Sequence, residues 1–212
     1  MAAHYCHHLV ECAPRSFATV ADALRAADWA GTGAGLYGAW RAQIGQPRDT
    51  LNVITVSQAP VDASAVEPVL GGNSAVRNVT HEPMRPTLRP SSAAPPIRQG
   101  NYAFRWFELP QANWPEFLAL CEAAWPGFEA AYDSQVVGLW QSELTRAPGA
   151  RALLLTRRPD LAMWERSKQP ANADEQEVRA RLSRRYDLCE STWVYTTTLL
   201  GASDQQDTVR WT

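Results

Sequence analysis

The sequence predicts an α+β protein made of two tandem ferredoxin-like repeats, and three observations support this. Gly35-Leu36-Tyr37, followed by Leu51–Val56, returns as Gly138-Leu139-Trp140, followed by Leu153–Thr156. Around each copy the predicted elements follow one order, strand-helix-strand-strand-helix-strand, which is the split β-α-β unit. Each half spans about a hundred residues, a usual domain size. We expect the halves to form an intrachain pseudo-dimeric β-barrel with helices outside.

The first repeat is predicted over residues 1–83. Residues 4–12 read as a strand, and residues 16–29 read as a helix whose apolar positions fall on one face, with Ser16 as N-cap. Residues 36–44 and 50–58 are the next strands, joined by a turn that contains Pro47. A short helix begins at the N-cap Asp62, and a fourth strand begins at Ser74.

Residues 84–101 are predicted to be an extended interdomain linker, because prolines fix many φ angles there and remove N–H donors. The second repeat follows over residues 102–200, with Asn113 and Asp160 as N-caps of its helices. An extra helical segment, residues 174–185, has no counterpart in the first repeat. Residues 201–212 are mostly polar and are predicted to form a loose or docked tail.

Composition excludes several classes of function. The 212 residues carry a net charge of −2 and are 45% hydrophobic, which is typical of a globular protein with a core. This charge argues against nucleic acid or an anionic membrane as an obligatory partner. The chain lacks a transmembrane-length apolar run and a signal-peptide pattern, so we expect a cytoplasmic protein.

Two groups of residues have simple structural interpretations. The four cysteines show no CxxC spacing, and in a cytosolic chain they are expected to be small buried residues rather than disulfides. The basic cluster of residues 179, 181, 184 and 185 is predicted to be a solvated helix face that pairs with Glu175 and Glu177.

The stretch from Ala152 to Glu165, Ala-Leu-Leu-Leu-Thr-Arg-Arg-Pro-Asp-Leu-Ala-Met-Trp-Glu, resembles the NIPSNAP-like proteins, a group within the dimeric α+β barrel superfamily. The resemblance extends over residues 104–167 and reaches the first half only through the internal repeat. It implies two ferredoxin-like sheets packed into a barrel. Wider relatives include cofactor-free monooxygenases, haem-binding enzymes and stress proteins, but no catalytic residue can be carried over from them.

Alternation along the strands suggests a cavity inside the barrel. The candidate catalytic residues are His7, Glu11 and Glu108, and the candidate lining residues are Tyr5, His81, Trp106, Trp193 and Tyr195. Each also has a structural interpretation: His7 as a buried histidine with hydrogen-bond partners, and the two glutamates as strand-end partners of Arg15 or Arg105. Histidine suits proton transfer because its ordinary pKa is near neutral.

No metal site or cofactor is predicted. His4, Cys6, His7 and His8 are metal-ligand types, but neighbouring strand residues point to opposite faces, so His7 and His8 cannot readily share an ion. Haem bound through a histidine is no better supported. Hydrolase motifs such as GxSxG and HExxH are absent from the sequence.

Two hypotheses of function remain. The first is a protein that binds or transforms a small apolar or aromatic molecule in the barrel cavity, through cofactor-independent oxygenase or isomerase chemistry. The second is a non-catalytic scaffold with a filled barrel, which an exposed apolar patch on the helix at 174–185 would favour. A homodimer, with halves exchanged through the linker, is also left open.

Overall fold

The computed structural model describes residues 3–144 and 149–201. Its elements alternate in the predicted order: β1 (His4–Cys12), α1 (Phe17–Ala26), β2 (Gly35–Ile44), β3 (Thr50–Ser57), α2 (Ala63–Leu70), β4 (Val76–Arg89), β5 (Asn101–Pro110), α3 (Trp114–Tyr132), β6 (Gln135–Ser142), β7 (Gly149–Arg158), α4 (Leu161–Arg166), α5 (Ala173–Asp187) and β8 (Ser191–Leu199). The α+β class is confirmed, and most predicted boundaries agree to within three residues. The predicted tail lies outside the described residues, apart from residue 201.

The chain divides into two compact units that differ from the predicted domains. Of the described residues, the first unit holds 3–86, 92–99 and 195–201, and the second holds 87–91 and 100–194. β4 and β8 therefore each contribute to both units. Residues 84–89, which the sequence predicts as linker, lie in β4. Proline is tolerated in such a strand where its missing N–H would not face a ladder partner.

The first unit is one antiparallel sheet with two helices on one face. β1 pairs with β3 and β4, and β2 pairs with β3 and with the end of β8. This order, β4-β1-β3-β2, is that of a ferredoxin-like sheet. Even-numbered β1 residues such as Val10 pack under the helices with Leu24 of α1 and Leu70 of α2. The odd-numbered β1 residues face the other side, as alternation requires.

The second unit repeats this plan with β8-β5-β7-β6. α3 and α5 cover one face, where Phe107 and Leu109 of β5 pack with Phe117 and Val178. The end of β4 also reaches this unit, because the Thr87 hydroxyl donates to the carbonyl oxygen of Leu139 at 2.8 Å. The extra helical segment predicted at 174–185 is α5, which the first unit lacks.

The internal repeat has a different register from the one that the sequence suggests. Gly38 pairs with Ile54 and Gly138 pairs with Leu155, so these two glycines are equivalent. Each is covered by the indole of the tryptophan two residues later, Trp40 or Trp140, and a methyl group on either glycine would overlap that ring. The equivalent triplets are therefore residues 38–40 and 138–140. The predicted alignment of residues 35–37 with 138–140 is wrong by three residues.

Two of the four predicted helix caps are confirmed. Asp62 accepts from the Ser64 N–H at 2.8 Å, and Asp160 accepts from the Met163 N–H at 2.7 Å. Ser16 and Asn113 occupy N-cap positions, but their side chains make no capping hydrogen bond. The Ser16 hydroxyl donates backwards to the carbonyl oxygen of Ala13 instead.

All four cysteines are free thiols, as expected, with Cys12 and Cys121 buried and Cys6 and Cys189 partly exposed. Burial raises the pKa of Cys12 and of Cys189 to about 11. Among the helices of the described ranges, none combines the length and the apolar character needed to span a bilayer.

Candidate functional site

A cavity of about 230 Å³ lies in the second unit, between the helix-covered face of its sheet and helices α3, α4 and α5. Five of its lining residues carry a cationic side chain: Arg105, Lys168, Arg158, Arg179 and Arg185. Four more are aromatic: Trp125, Phe128, Trp164 and Tyr186. None of the described residues that line it is acidic. The cavity is thus cationic and aromatic together.

Strand alternation explains why the arginines face the helices. Arg105 lies two residues before Phe107 on β5, so it shares the face that packs under α3 and α5. Arg158 shares a face of β7 with Leu154 and Thr156 in the same way. Ala103 occupies this face next to Arg105, and its short side chain leaves space for the cavity.

Two of the cavity arginines are buried, and neither has a carboxylate partner among the described residues. Arg158 is 8% exposed and Arg185 is 3% exposed, and the Nε atom of each has no hydrogen-bond partner among the described residues. The Arg158 Nη1 donates to the Thr156 hydroxyl at 3.1 Å, and the Arg185 Nη1 lies 3.4 Å from the Cys121 sulfur. These contacts satisfy part of each guanidinium and leave its charge uncompensated.

The free-energy cost of burying a charge lowers the pKa of two of the cavity arginines. Burial, with a contribution from the neighbouring Arg105 charge, lowers the pKa of Arg158 from 12.5 to about 10. Burial also lowers the pKa of Arg105, where the nearby charges of Arg185 and Arg179 act in the same direction. Burial and neighbouring arginine charges thus destabilise the charged forms of Arg105 and Arg158, and an anion in the cavity would relieve this repulsion.

Aromatic rings supply the partial compensation that the carboxylates do not. The Arg158 guanidinium lies 5.1 Å from the ring centre of Phe128 and 5.9 Å from that of Trp164. Arg105 lies 5.5 Å from the ring centre of Tyr186. Such cation–π contacts hold the guanidinium planes in place and leave their N–H edges available.

Glu175 and Glu177 of α5 have partners outside the cavity. Glu175 accepts two hydrogen bonds from Arg166, both at 2.8 Å, and Glu177 pairs with Arg181. Among the described residues, Lys168 is the one lining cation with a carboxylate partner, Glu165. The predicted solvated face is therefore only partly correct. Arg181 and Arg184 are exposed enough to form surface pairs, but Arg185 is buried and Arg179 lines the cavity.

Three of the predicted site residues lie in the first unit on the face away from its helices. His7 is 5% exposed, and its Nε2 lies 3.0 Å from the side-chain oxygen of Asn52. The Tyr195 hydroxyl donates to the same oxygen at 2.9 Å, so the structure brings His7 and Tyr195 together. Tyr5 donates to the carbonyl oxygen of Ser92, and burial raises its pKa to about 12.

The contacts around His7 favour its structural interpretation. Asn52 accepts from both neighbours and donates to Gln46 at 2.7 Å, which uses both acceptor sites of its side-chain oxygen and one of its two N–H donors. Buried polar groups that are hydrogen-bonded to one another in this way make a core rigid, which favours a structural role.

Glu11 and His81 do not join this cluster. Glu11 is exposed at the end of β1 and accepts from Asn78. His81 pairs directly with His8 in the β1–β4 ladder, so it lies on the helix-covered face, opposite to His7. The grouping of His81 with His7 is therefore wrong. β4 continues beyond His81 to Arg89.

The remaining predicted residues form a separate cluster in the second unit. Trp106 and Trp193 stack with ring centres 6.3 Å apart, and the Arg151 guanidinium lies 4.3 Å from the first ring centre and 5.2 Å from the second. Glu108 is 3.7 Å from Arg151 and accepts from the Ser191 hydroxyl at 2.9 Å. The expected pairing of Glu108 with Arg105 is absent because these residues point to opposite faces of β5.

The sequence prediction missed the cavity arginines, although a pattern for them exists. An arginine at an alternating position of an apolar strand, as in Phe104-Arg105-Trp106, must face either solvent or a polar pocket. No rule of periodicity distinguishes these two outcomes without knowing which face the helices cover.

No protein-family model and no curated protein matches the sequence. Solved structures do match over almost the whole chain. An anthrone oxidase-like protein is 15% identical with a TM-score of 0.59, and the match covers 94% of this chain and 92% of the other. A proposed monooxygenase from Lactobacillus acidophilus is 10% identical, with a TM-score of 0.58 and 94% of each chain covered.

A chlorite dismutase from Candidatus Nitrospira defluvii is also similar, at 10% identity and a TM-score of 0.53, with 93% of this chain and 91% of the other covered. Likeness at this level of identity shows the fold alone. The chain therefore has the ferredoxin-like, dimeric α+β barrel fold, and its site must be interpreted from its own residues.

Proposed function

We propose that this protein binds a small aromatic anion in the arginine-lined cavity of its second unit. The observation that carries the proposal is the cavity itself, where four arginines and four aromatic residues meet without an acidic residue among those described. A ligand with a carboxylate, or with an acidic phenol or enol, supplies the negative charge that the cavity lacks.

The arginines suit such a ligand in geometry as well as in charge. A guanidinium presents paired N–H groups that match the two oxygens of a carboxylate. Buried cations without partners cost free energy, so an anion that enters recovers part of that cost on binding.

The volume and the walls set the size of the ligand. A cavity of about 150 Å³ suffices for benzene, and this one measures about 230 Å³. One substituted ring, or two small fused rings, would fit. The rings of Trp125 and Trp164 supply flat apolar surface against which such a ligand stacks.

A chemical step on the ligand is the catalytic form of the same proposal. Deprotonation of a phenol or an activated methylene creates an enolate or phenolate, and fixed cations stabilise that charge as it develops. A cofactor-independent oxygenase or isomerase uses such an anion, and monooxygenase names occur among the proteins of similar fold. The predicted catalytic residues His7, Glu11 and Glu108 do not line this cavity, so they are not assigned to this step.

The scaffold alternative has less support. This alternative requires an exposed apolar patch on the helix at 174–185. The exposed large hydrophobic residues among those described are Ile44, Ile97, Leu144 and Trp193, and none of them lies in α5. Its buried positions are instead Glu175, Val178 and Arg185.

Several predictions made from the sequence stay predictions. They are the kinship with NIPSNAP-like proteins, the cytoplasmic location, which the free thiols suit, and a homodimer. Independence of nucleic acid and membranes is also expected from the net charge of −2.

Matched acids and amides test the binding proposal. Benzoate, salicylate and 1-naphthoate are titrated by calorimetry and by quenching of tryptophan fluorescence, each beside its neutral amide. The acids are expected to bind at least ten times more tightly, because a hydrogen bond to a charged group contributes about 1.5–3 kcal/mol. Arg105→Met and Arg158→Met should each weaken acid binding by about 10- to 100-fold.

The control is Arg181→Met, which removes an arginine of α5 that pairs with Glu177 and does not line the cavity. It should leave binding unchanged. Equal affinity for acid and amide, or equal loss in the control, would overturn the proposal.

A further inference from the structure

We propose that Cys6, His8 and His81 of the first unit bind one divalent transition-metal ion, and that the donor set fits zinc best. These residues lie on the helix-covered face of the first unit's sheet. Through the register of the two sheets, this is the position that Ala103 and Arg105 occupy in the second unit. The two units thus use one location for different chemistry.

The β-sheet brings the three side chains together. Cys6 and His8 are two residues apart on β1 and share a face, and His81 is the direct partner of His8 across the β1–β4 ladder. His7 and His8 point to opposite faces of β1, so His7 is not part of this site. The missing ligand comes from a distant strand, which sequence spacing does not reveal.

The ligand atoms converge on one point. The Nδ1 atoms of His8 and His81 are 2.8 Å apart, and the Cys6 sulfur is 3.8 Å from the Nδ1 of His8. All three donor atoms lie within 4.8 Å of one another. Around tetrahedral zinc such atoms are roughly 3.3–3.6 Å apart, given Zn–N of about 2.0–2.1 Å and Zn–S of about 2.3 Å. Side-chain shifts of about an ångström would form the site.

The outer nitrogens of both histidines are already held. His81 Nε2 lies 3.1 Å from a carboxylate oxygen of Glu67, and His8 Nε2 lies 2.9 Å from the Thr55 hydroxyl. Metal-binding histidines usually donate their second N–H to such a partner, which fixes the tautomer and directs the free nitrogen at the ion.

The hydrogen bonds also show which protons the metal ion would displace. Because Glu67 accepts from His81 Nε2–H, His81 Nδ1 is an acceptor, and the proton between the two rings is carried by His8. On metal binding this proton shifts to His8 Nε2, and the Thr55 hydroxyl turns from donor to acceptor. The Cys6 thiol loses its proton to solvent, so one proton is released per ion.

The charge state favours ligation. His8 is fully buried, and burial favours the neutral form of an imidazole. It is therefore neutral, as a ligand must be. Cys6 and His81 are partly exposed, which gives an ion access from solvent. Three protein ligands leave one coordination position for water or a substrate.

The test uses full-length protein without a histidine tag, treated with a chelator and then titrated with Co²⁺, a spectroscopic substitute for zinc. We expect one Co²⁺ per chain, a thiolate-to-cobalt charge-transfer band and the visible bands of a tetrahedral ion. Competition with Zn²⁺ then gives the zinc affinity. Calorimetry in buffers of different ionisation enthalpy should report one proton released.

Variants assign the ligands. Cys6→Ser should abolish the charge-transfer band, and His81→Gln should weaken binding by at least 100-fold. Glu67→Gln, which removes the outer partner, should weaken it by about 10- to 100-fold. Cys189→Ser removes a partly exposed thiol elsewhere and should change nothing. Circular dichroism checks that each variant is folded.

The proposal is overturned if the wild-type protein shows no charge-transfer band, or if folded Cys6→Ser and His81→Gln bind Co²⁺ as the wild type does. Either result would leave His8 and His81 as a hydrogen-bonded pair with a structural role. The outcome is independent of the aromatic-anion cavity, which shares none of these residues.

Discussion

Arg158→Met is expected to stabilise the protein while it weakens ligand binding. The fall in the pKa of Arg158 from 12.5 to about 10 corresponds to a cost of about 3 kcal/mol for the buried charge at neutral pH. The substitution also loses cation–π contacts with two rings and the hydrogen bond to Thr156, which together contribute about 2 kcal/mol. Methionine fills much of the volume with a flexible apolar chain.

The expected net effect is an increase of about 1 kcal/mol in the free energy of unfolding. Urea denaturation followed by tryptophan fluorescence measures it, with Arg181→Met as the control that should stay within about 0.5 kcal/mol. The same samples give the affinity for 1-naphthoate. If Arg158→Met loses more than about 1 kcal/mol of stability, Arg158 is a structural residue whose charge is compensated in the folded protein.

Three further predictions concern the rest of the chain. Gly138→Ala should lower the free energy of unfolding, measured by urea denaturation, by about 1–3 kcal/mol because the added methyl group meets the Trp140 ring. Gly31→Ala is the control and should be nearly neutral, because a methyl group there meets nothing within 4 Å. Equal effects of the two substitutions would contradict this packing. Tyr195→Phe should lower the free energy of unfolding by about 1 kcal/mol and leave naphthoate binding unchanged. A loss of binding would indicate that the ligand site lies on the sheet face that carries Tyr195. The pKa of Cys12 is raised from 9.0 to about 11, so the protonated thiol stabilises the folded protein fully below pH 9. This contribution is lost as the pH rises to 11, which lowers the free energy of unfolding by up to about 2 kcal/mol. Cys12→Ala should flatten that part of the pH–stability profile, and an unchanged profile would refute the raised pKa of this thiol.

Sequence patterns were sufficient for features that depend on residues close together in the chain. Alternation is enough to place Val10 on one face of β1, and Phe107 and Leu109 together on one face of β5, and the helices cover both of these faces. Asp62 and Asp160 correctly marked helix starts. Local hydrogen bonds and the alternation of side chains along a strand decide such features, and both depend on residues that are close in the sequence.

The sequence by itself determined the α+β class, the order of strands and helices and the faces of most strands, because these depend on contacts close in the chain. Only the tertiary structure decided which strands pair, and thus that β4 and β8 run through both units. It also decided that Arg105 and Arg158 share a buried cavity, and that His81 meets His8 rather than His7. These meetings join residues about 50 to 75 positions apart, and a periodic pattern contains no information about partners at that distance.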